Sequence, residues 1–354
     1  MTDASDLIVG GRPPRDPFRA EDLPLIARLA QIGFHRYRRR WAKRLFKRPG
    51  RMLFDVAYHG LGLGGRGAVS VDLPGGRARL DFDARKVHFR GIYDGPVDSY
   101  EPEVAAILET LLAGERVFYD VGANWGYFTL YAAGIPGYTG AVHAFEPIAD
   151  TFADLDDLAR QAGLAGRVHC HPIALSDRDG EATMAFDPID TGIARLAAAG
   201  QGGAGGGRRV RLARLDGLGL PAPWLMKVDV ETHEAQVFRG AAAMIAGARP
   251  FIVFENWIAR GDPQATLRPL RTLEEMGYAL YRPCWEFNDG KETFVWPEST
   301  PPRPCPRRRL ALVRFAAEAR FQFGEQINAF ACHRDRVAEL KRVFSGGGPE
   351  TDLG

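Results

Sequence analysis

The sequence predicts a doubly wound, Rossmann-like α/β domain with a mostly parallel sheet, flanked by an N-terminal helical and β-hairpin extension and a C-terminal extension. Three observations support this fold. Short apolar runs alternate with helical patterns of roughly ten to fifteen residues, a glycine turn joins the first run to a helix, and several runs end in an acid. Strands covered on both faces are apolar in this way because neither face meets water.

The 354 residues divide into four expected parts. Residues 1–24 form a disordered start, and residues 25–99 form an extension with a basic helix and a small β layer. Residues 100–297 form the α/β domain, and residues 298–354 form a C-terminal extension. The first part is polar and proline-rich, and helical spacing begins at about Leu25 and continues to Phe46. Alternation with turn residues predicts a β-hairpin over 69–93.

Each element of the domain follows from its own pattern. Helical spacing predicts helices over 101–113, 125–133, 149–162, 234–246 and 265–276. Short apolar runs predict strands over 117–120, 141–145, 167–175, 225–230, 250–255 and 278–282. Between the third and fourth strands the rhythm breaks, and alternation over 181–186 and 208–215 predicts antiparallel strands around the glycine- and alanine-rich run 197–207. The tail after Pro297 becomes helical again near 334–343.

Composition restricts the class of protein only loosely. The net charge of +2 favours no polyanionic partner, and the four cysteines lack the spacing of a zinc site. The start has no apolar signal region, and no run reaches the roughly 20 apolar residues of a membrane span. A cytoplasmic protein is therefore expected. The segment 36–51 has many bases, no acid and interleaved aromatics, so it could contact the inner face of an anionic membrane, whereas nucleic acid is the less favoured partner.

The candidate cofactor loop is Asp120-x-Gly122-x-Asn124-x-Gly126. It follows an apolar strand and precedes a helix, and its glycines allow a tight turn with close approach of a ligand to the backbone. A second glycine cluster, at 62–67, also fits the dinucleotide pattern, but no helix follows it, and it is set aside.

The acid that ends the first strand indicates which ligand the loop holds. The Asp120 carboxylate would repel a diphosphate, whereas it favours a cation such as the ammonium of S-adenosylmethionine. Glu146, at the end of the next strand, can accept hydrogen bonds from both ribose hydroxyls. Because Glu146 would serve a nicotinamide dinucleotide equally well, an NAD(P)-dependent oxidoreductase remains an alternative.

Several stretches resemble the FkbM family of methyltransferases. They are VFYDVGANWGYF at 117–128, FEP at 145–147, ALSD at 174–177, KVDVETHE at 227–234, FRG at 238–240 and FEN at 254–256. The resemblance implies a sheet of the class I methyltransferase type, S-adenosylmethionine as donor, and a hydroxyl of a sugar, a glycan or glycolipid, or a polyketide-like molecule as acceptor. It also adds Ala123 and Ser176 to the expected cofactor residues. Similar proteins usually have glycine where Thr232 stands.

Methyl transfer to an alcohol needs an aligned acceptor and a base for its proton. The expected catalytic residues are His233 or Asp229 as the base, with Glu231 orienting the acceptor. Asp229 is also expected to touch the cofactor, and Glu231 and Glu255 the substrate. Carboxylates of this kind can hold a divalent ion, but their spacing is not diagnostic and no metal is assigned. A catalytically inactive protein that binds nucleic acid or lipid through its basic segment is a further alternative.

Overall fold

The computed structural model describes residues 7–22, 61, 65–84, 86–89, 100–187, 190–196, 207–288, 293–296, 307–346 and 351–352. The strands within these ranges are β1 (Leu7–Gly10), β2 (Phe18–Asp22), β3 (Arg66–Leu73), β4 (Gly76–Asp83), β5 (Phe118–Val121), β6 (Val142–Phe145), β7 (Val168–His171), β8 (Ala174–Leu175), β9 (Gly180–Asp187), β10 (Asp190–Leu196), β11 (Arg208–Ala213), β12 (Leu225–Val228), β13 (Phe251–Trp257), β14 (Tyr278–Asn288), β15 (Thr293–Trp296), β16 (Arg307–Phe315), β17 (Gln326–His333) and β18 (Thr351–Asp352). The α-helices are α1 (Pro102–Leu111), α2 (Tyr127–Ala133), α3 (Ala149–Gln161), α4 (Glu234–Gly240), α5 (Ala242–Ala248), α6 (Pro263–Glu275) and α7 (Val337–Ser345).

The central sheet is doubly wound, as the sequence predicts. Its order is β7-β6-β5-β12-β13-β17-β14-β16-β1, and the first five strands in this list run parallel. The chain winds outward from β5 to β6 and β7, then returns to place β12 and β13 on the other side. This reversal beside β5 creates a crevice at the carboxyl ends of β5 and β12, where open α/β sheets bind their ligands.

Alternating side chains of the parallel strands supply two apolar layers, one on each face of the sheet. Phe118 and Leu225 belong to the layer that packs against α1 and α2, whereas Tyr119 and Met226 belong to the layer that packs against α4 and α6. The four central parallel strands are almost wholly buried because helices cover both faces.

The C-terminal part of the chain is built into this same sheet. Strand β17 lies between β13 and β14 and runs antiparallel to both, and β16 and β1 extend the sheet beyond β14. The sequence places a domain boundary after residue 297, yet the strands on either side of that point hydrogen-bond to one another. The reason is that β17 supplies hydrogen-bonding partners for the backbone groups at the edge of β13, which would otherwise be unpaired.

Residues 7–22 differ from the disordered start expected for residues 1–24. Strand β1 pairs with β16, and β2 pairs with β3. Phe18 is buried, with its ring 4.7 Å from that of Tyr127 and 6.1 Å from that of Trp125. These short strands acquire order from tertiary partners, which a polar and proline-rich sequence does not reveal. The predicted hairpin is present as β3 and β4, whereas the helix predicted over 25–46 lies outside the described residues.

The insertion between the third and fourth parallel strands forms a separate four-stranded sheet, ordered β10-β9-β11-β8. Strands β9 and β11 pair antiparallel, as predicted, while most of the glycine-rich run between them lies outside the described residues. The helix predicted over 234–246 is divided into α4 and α5 at Ala241. Throughout the described part of the chain, every helix is too short or too polar to span a bilayer.

Candidate functional site

The loop after β5 turns sharply at the crevice between β5 and β12. Gly122 and Ala123 each donate their backbone N–H to the carbonyl of Phe145, at 3.0 Å. Gly122, Asn124 and Gly126 have φ values of 79°, 51° and 97°, in the left-handed region that favours glycine. A Cβ on Gly122 would lie 1.8 Å from the Asp229 carbonyl oxygen. The loop therefore closes against the chain after β12 in a way that only glycine permits.

Asp120 is almost completely buried at the base of this loop, with 1% of its surface exposed. Its Oδ2 accepts a hydrogen bond from the Thr129 hydroxyl at 2.7 Å, while Oδ1 is buried without a partner in the described part of the chain. Burial raises the pKa of Asp120, and the Lys227 ammonium opposes the rise. A buried acceptor without a donor is costly, so Oδ1 is suited to a donor brought by a ligand.

Glu146 links the second parallel strand to the candidate cofactor loop. Its Oε1 accepts a hydrogen bond from the Ile148 N–H at 2.9 Å, and its Oε2 accepts one from the Asn124 N–H at 3.1 Å. Burial raises the pKa of Glu146 to about 7, against the lowering effect of these two backbone donors. Each carboxylate oxygen has a further lone pair, so Glu146 can still accept from ligand hydroxyls.

Asp229, Glu231 and Glu255 meet beyond the carboxyl ends of β12 and β13. One oxygen from each lies within 4.8 Å of the others. The strand predicted over 225–230 ends at Val228, and beyond it Glu231 and Thr232 have φ values of 49° and 76°. A left-handed turn therefore brings the two acids together. Acidic groups at this spacing also occur without an ion, so the spacing alone does not assign a metal.

The backbone at position 232 favours glycine. A φ of 76° is unfavourable for a β-branched residue such as Thr232. The Thr232 N–H donates to Glu234 Oε1 at 3.1 Å, and the Val230 N–H donates to the same oxygen at 3.4 Å. Burial raises the pKa of Glu234 to about 7. By accepting these two backbone hydrogen bonds, Glu234 stabilises the strained turn.

Glu255 is buried among donors. Its Oε2 accepts a hydrogen bond from Trp257 Nε1 at 2.6 Å, and its Oε1 accepts one from the Gln326 amide. Burial, followed by the nearby Asp229 and Glu101 carboxylates, raises the pKa of Glu255 to about 9. The raised pKa means that Glu255 takes up a proton more readily than an exposed carboxylate does, and in its protonated form it can donate a hydrogen bond as well as accept one.

Sequence reasoning missed two charged residues at this site. Lys227, with 5% of its surface exposed, lies on β12 and donates a hydrogen bond from Nζ to Asp229 Oδ2 at 3.0 Å. Glu101 precedes α1, and burial raises its pKa to about 8 against the opposing effect of Lys227. One carboxylate oxygen of Glu101 is buried without a partner among the described residues. A lysine in an apolar strand is a usable signal, whereas nothing local to Glu101 indicates its position.

His233 and Ser176 form a separate pair. The Ser176 Oγ lies 3.0 Å from His233 Nε2, and Asp177, the next residue, forms an ion pair with Arg239 at 2.7 Å. Burial lowers the pKa of His233 to about 4, so the imidazole is neutral at cellular pH. The charged groups acting on the imidazole are Asp177, Arg239 and Arg178. The structure thus brings Asp229, Glu231 and Glu255 together and places His233 beside Ser176.

Comparison with known protein families is consistent with this geometry. Residues 120–280, a little under half of the chain, match the family model described as the methyltransferase FkbM domain. The match confirms the resemblance inferred from the motifs. No relative was found among curated proteins.

Solved structures give weaker likenesses. An FkbM methyltransferase from Methylobacillus flagellatus KT is 16% identical, with a TM-score of 0.36 over 58% of this chain and 47% of that one, so the match spans about half of that protein. An SAM-dependent O-methyltransferase from Thermotoga maritima is 11% identical, with a TM-score of 0.34 over 70% and 77% of the two chains. An O-methyltransferase from Bacillus cereus, in complex with SAH, is 14% identical, with a TM-score of 0.34 over 62% and 81%. These likenesses carry no functional conclusion.

Proposed function

We propose that this chain, which carries a methyltransferase FkbM domain over residues 120–280, is an S-adenosylmethionine-dependent O-methyltransferase. The observation that carries the proposal is the buried Asp120 oxygen without a donor, placed under a glycine loop. Negative charge at that position favours a cationic donor and disfavours a diphosphate. The proposed acceptor is a hydroxyl of a sugar, a glycan or glycolipid, or a polyketide-like small molecule.

The residues around the loop fit this cofactor. Asp120 provides a free acceptor oxygen for the ammonium, and Glu146 retains lone pairs for the ribose hydroxyls. Ala123 and Asn124 lie in the loop between Gly122 and Gly126, and the Asn124 N–H donates to Glu146. We further assign Ser176 and Asp229 to cofactor contacts. When bound, S-adenosylmethionine supplies a methyl group activated by its sulfonium.

The acid cluster supplies what an alcohol acceptor requires. The protein must hold the acceptor oxygen in line with the methyl group and remove its proton. Asp229 is our preferred base because it stands among the clustered acids, with Glu231 and Glu255 positioned to bind the acceptor. His233 remains the second candidate, since its neutral imidazole can accept a proton.

Binding and transfer can be tested separately. Melting of the protein is expected to shift upward with adenosylhomocysteine and not with NAD or NADP. Incubation with methyl-labelled S-adenosylmethionine and a cell extract is then expected to label a small molecule or glycan at oxygen. Stabilisation by a dinucleotide alone would replace the methyltransferase proposal with an oxidoreductase.

Adenosylhomocysteine affinity is expected to fall as the pH drops below about 7, because protonation of Glu146 removes an acceptor for the ribose hydroxyls. The ligand prefers the ionised form, so the dissociation constant rises about tenfold per unit well below that pKa. Calorimetric titrations across this range measure the effect. Glu146→Gln should flatten the profile, whereas Glu234→Gln, which removes another buried carboxyl with a pKa of about 7, should preserve it.

The catalytic assignment predicts a separation of binding from turnover. Glu231→Gln and His233→Ala are each expected to bind adenosylhomocysteine normally and to transfer label about 100-fold more slowly, a typical loss for an acid–base or orienting group. Glu181→Gln, at an exposed acid on β9, serves as the control. Normal methylation by both site variants would contradict the assignment.

The basic segment 36–51 lies outside the described residues, and its role remains a proposal from sequence. We propose a cytoplasmic enzyme whose basic segment contacts the anionic inner face of the membrane. The protein is expected to sediment with vesicles containing phosphatidylserine and not with vesicles of phosphatidylcholine alone. Equal sedimentation with both would refute the contact.

A further inference from the structure

Lys227 is an unusual residue in the middle of the site. It is the one charged residue of β12, and only 6% of its side chain is exposed. In the sheet register it stands beside Asp120 of β5, so both side chains rise from the same face of the sheet. Burying an ammonium is costly unless it is paired, so a lysine at this position requires a partner.

That partner is Asp229. The Lys227 Nζ donates to Asp229 Oδ2 at 3.0 Å, and the ring of Phe128 lies 5.1 Å from the same nitrogen. Asp120 instead receives its hydrogen bond from Thr129. The ammonium is therefore directed at one carboxylate, although two other acids, Asp120 and Glu101, also act on its charge.

Lys227 carries a positive charge at neutral pH. Burial alone lowers the pKa of Lys227, but Asp229, Asp120 and Glu101 together outweigh burial and hold the pKa above its ordinary value. A permanent ammonium at hydrogen-bond distance restricts rotation of the Asp229 carboxylate. Asp229 is the more exposed member of the pair, with 22% of its side chain accessible, and one of its oxygens lies within 4.8 Å of Glu231 and Glu255. Asp229 therefore contacts the buried Lys227 and also belongs to the acid cluster with Glu231 and Glu255.

We propose that Lys227 is a positioning residue that holds the Asp229 carboxylate in place for the acceptor hydroxyl, an inference that rests on the proposed O-methyltransferase function. Lys227 acts through Asp229. In the step that Lys227 supports, the acceptor oxygen forms a bond to the methyl carbon while the bond between that carbon and sulfur breaks. The electron pair of the broken bond goes to sulfur. The hydroxyl proton goes to Asp229, so atoms and charge balance.

The first test compares Lys227→Met with Lys227→Arg, measuring adenosylhomocysteine affinity and the initial rate of label transfer from S-adenosylmethionine to the cell extract. Lys227→Met should slow transfer about 100-fold, a loss typical of a misplaced catalytic group, while its affinity for adenosylhomocysteine stays within about threefold of wild type. Lys227→Arg should recover at least about tenfold of the lost rate, because it restores a cation that can hydrogen-bond to Asp229. Lys341→Met, at an exposed lysine of α7, should change neither quantity.

The second test asks whether Lys227 acts through Asp229. If it does, Lys227→Met combined with Asp229→Asn transfers at the rate of Asp229→Asn alone, since nothing remains to be positioned. The double variant also removes both members of the buried pair, so it remains usable if Lys227→Met alone is unstable. If Lys227 only offsets the buried charge of Asp120 and Glu101, the rate losses of the two single variants should instead multiply in the double variant. That result would overturn the inference.

The outcomes separate this inference from the proposed function. A wild-type protein that transfers label, together with a Lys227→Met variant that transfers equally well, overturns the role of Lys227 and leaves the function intact. A folded Lys227→Met variant that loses adenosylhomocysteine binding and transfer in equal measure also overturns it. A wild-type protein that transfers no label to any extract component overturns both.

Discussion

Replacing Gly122 with alanine is expected to abolish binding of adenosylhomocysteine. The φ of Gly122 is 79°, where a side chain costs about 1–2 kcal/mol, and the new Cβ would lie 1.8 Å from the Asp229 carbonyl oxygen. Backbone on both sides of the crevice must move to relieve this clash. The movement displaces the loop itself, so the dissociation constant should rise at least about 100-fold.

Gly163 provides a matched control for the Gly122 experiment. It also has a left-handed φ, 70°, but a Cβ there would meet open space. Gly163→Ala therefore introduces the backbone penalty without the clash, and it should bind adenosylhomocysteine as the wild type does. Calorimetric titration of both variants, with urea unfolding to verify that each is folded, makes the comparison. Wild-type affinity in Gly122→Ala would show that the loop is not the cofactor site.

Replacing Arg320 with methionine is expected to lower the free energy of unfolding by about 3–5 kcal/mol. Arg320 is fully buried, and its guanidinium donates to the Asn256 side chain and to the carbonyls of Asn256, Gly324 and Glu325. Methionine fills most of the volume but leaves these acceptors unpaired. Burial lowers the pKa of Arg320 to about 10, and the group still remains charged at neutral pH.

Urea denaturation measures the loss, with Arg268→Met as the control. Arg268 has about half of its side chain exposed (49%), and its contact with Asp262 is long, at 3.9 Å. Its replacement should change the free energy of unfolding by less than about 0.5 kcal/mol. A similarly small change in Arg320→Met would mean that water replaces the lost donors at the end of β13.

The parallel half of the fold was predictable because its signals are local. The first strand was expected over 117–120 and is observed over Phe118–Val121, since an apolar run followed by a glycine turn specifies both the strand and its end. Helix α3, predicted over 149–162, is observed over Ala149–Gln161 for the same reason. Elements of this kind depend on neighbours within a few residues.

Other elements depended on distant partners and could not be predicted. Strand β17 belongs to the sheet because Ala331 pairs with Ile252, far away in the chain. The break between α4 and α5 follows Gly240, where a Cβ would lie 1.8 Å from the Ser176 carbonyl oxygen. A helical pattern in the sequence shows no sign of such an approach.

The candidate site divides in the same way. The sequence places Asp120, Gly122 and Glu146 at the ends of two strands, and the structure does the same, because strand ends are set by local signals. Only the tertiary structure shows that Lys227 donates a hydrogen bond to Asp229 and that Glu101 lies close enough to interact with both charges. It also shows that His233 lies at hydrogen-bond distance from Ser176. Hydrogen bonding and burial between separate strands set these contacts, and neither depends on separation along the chain.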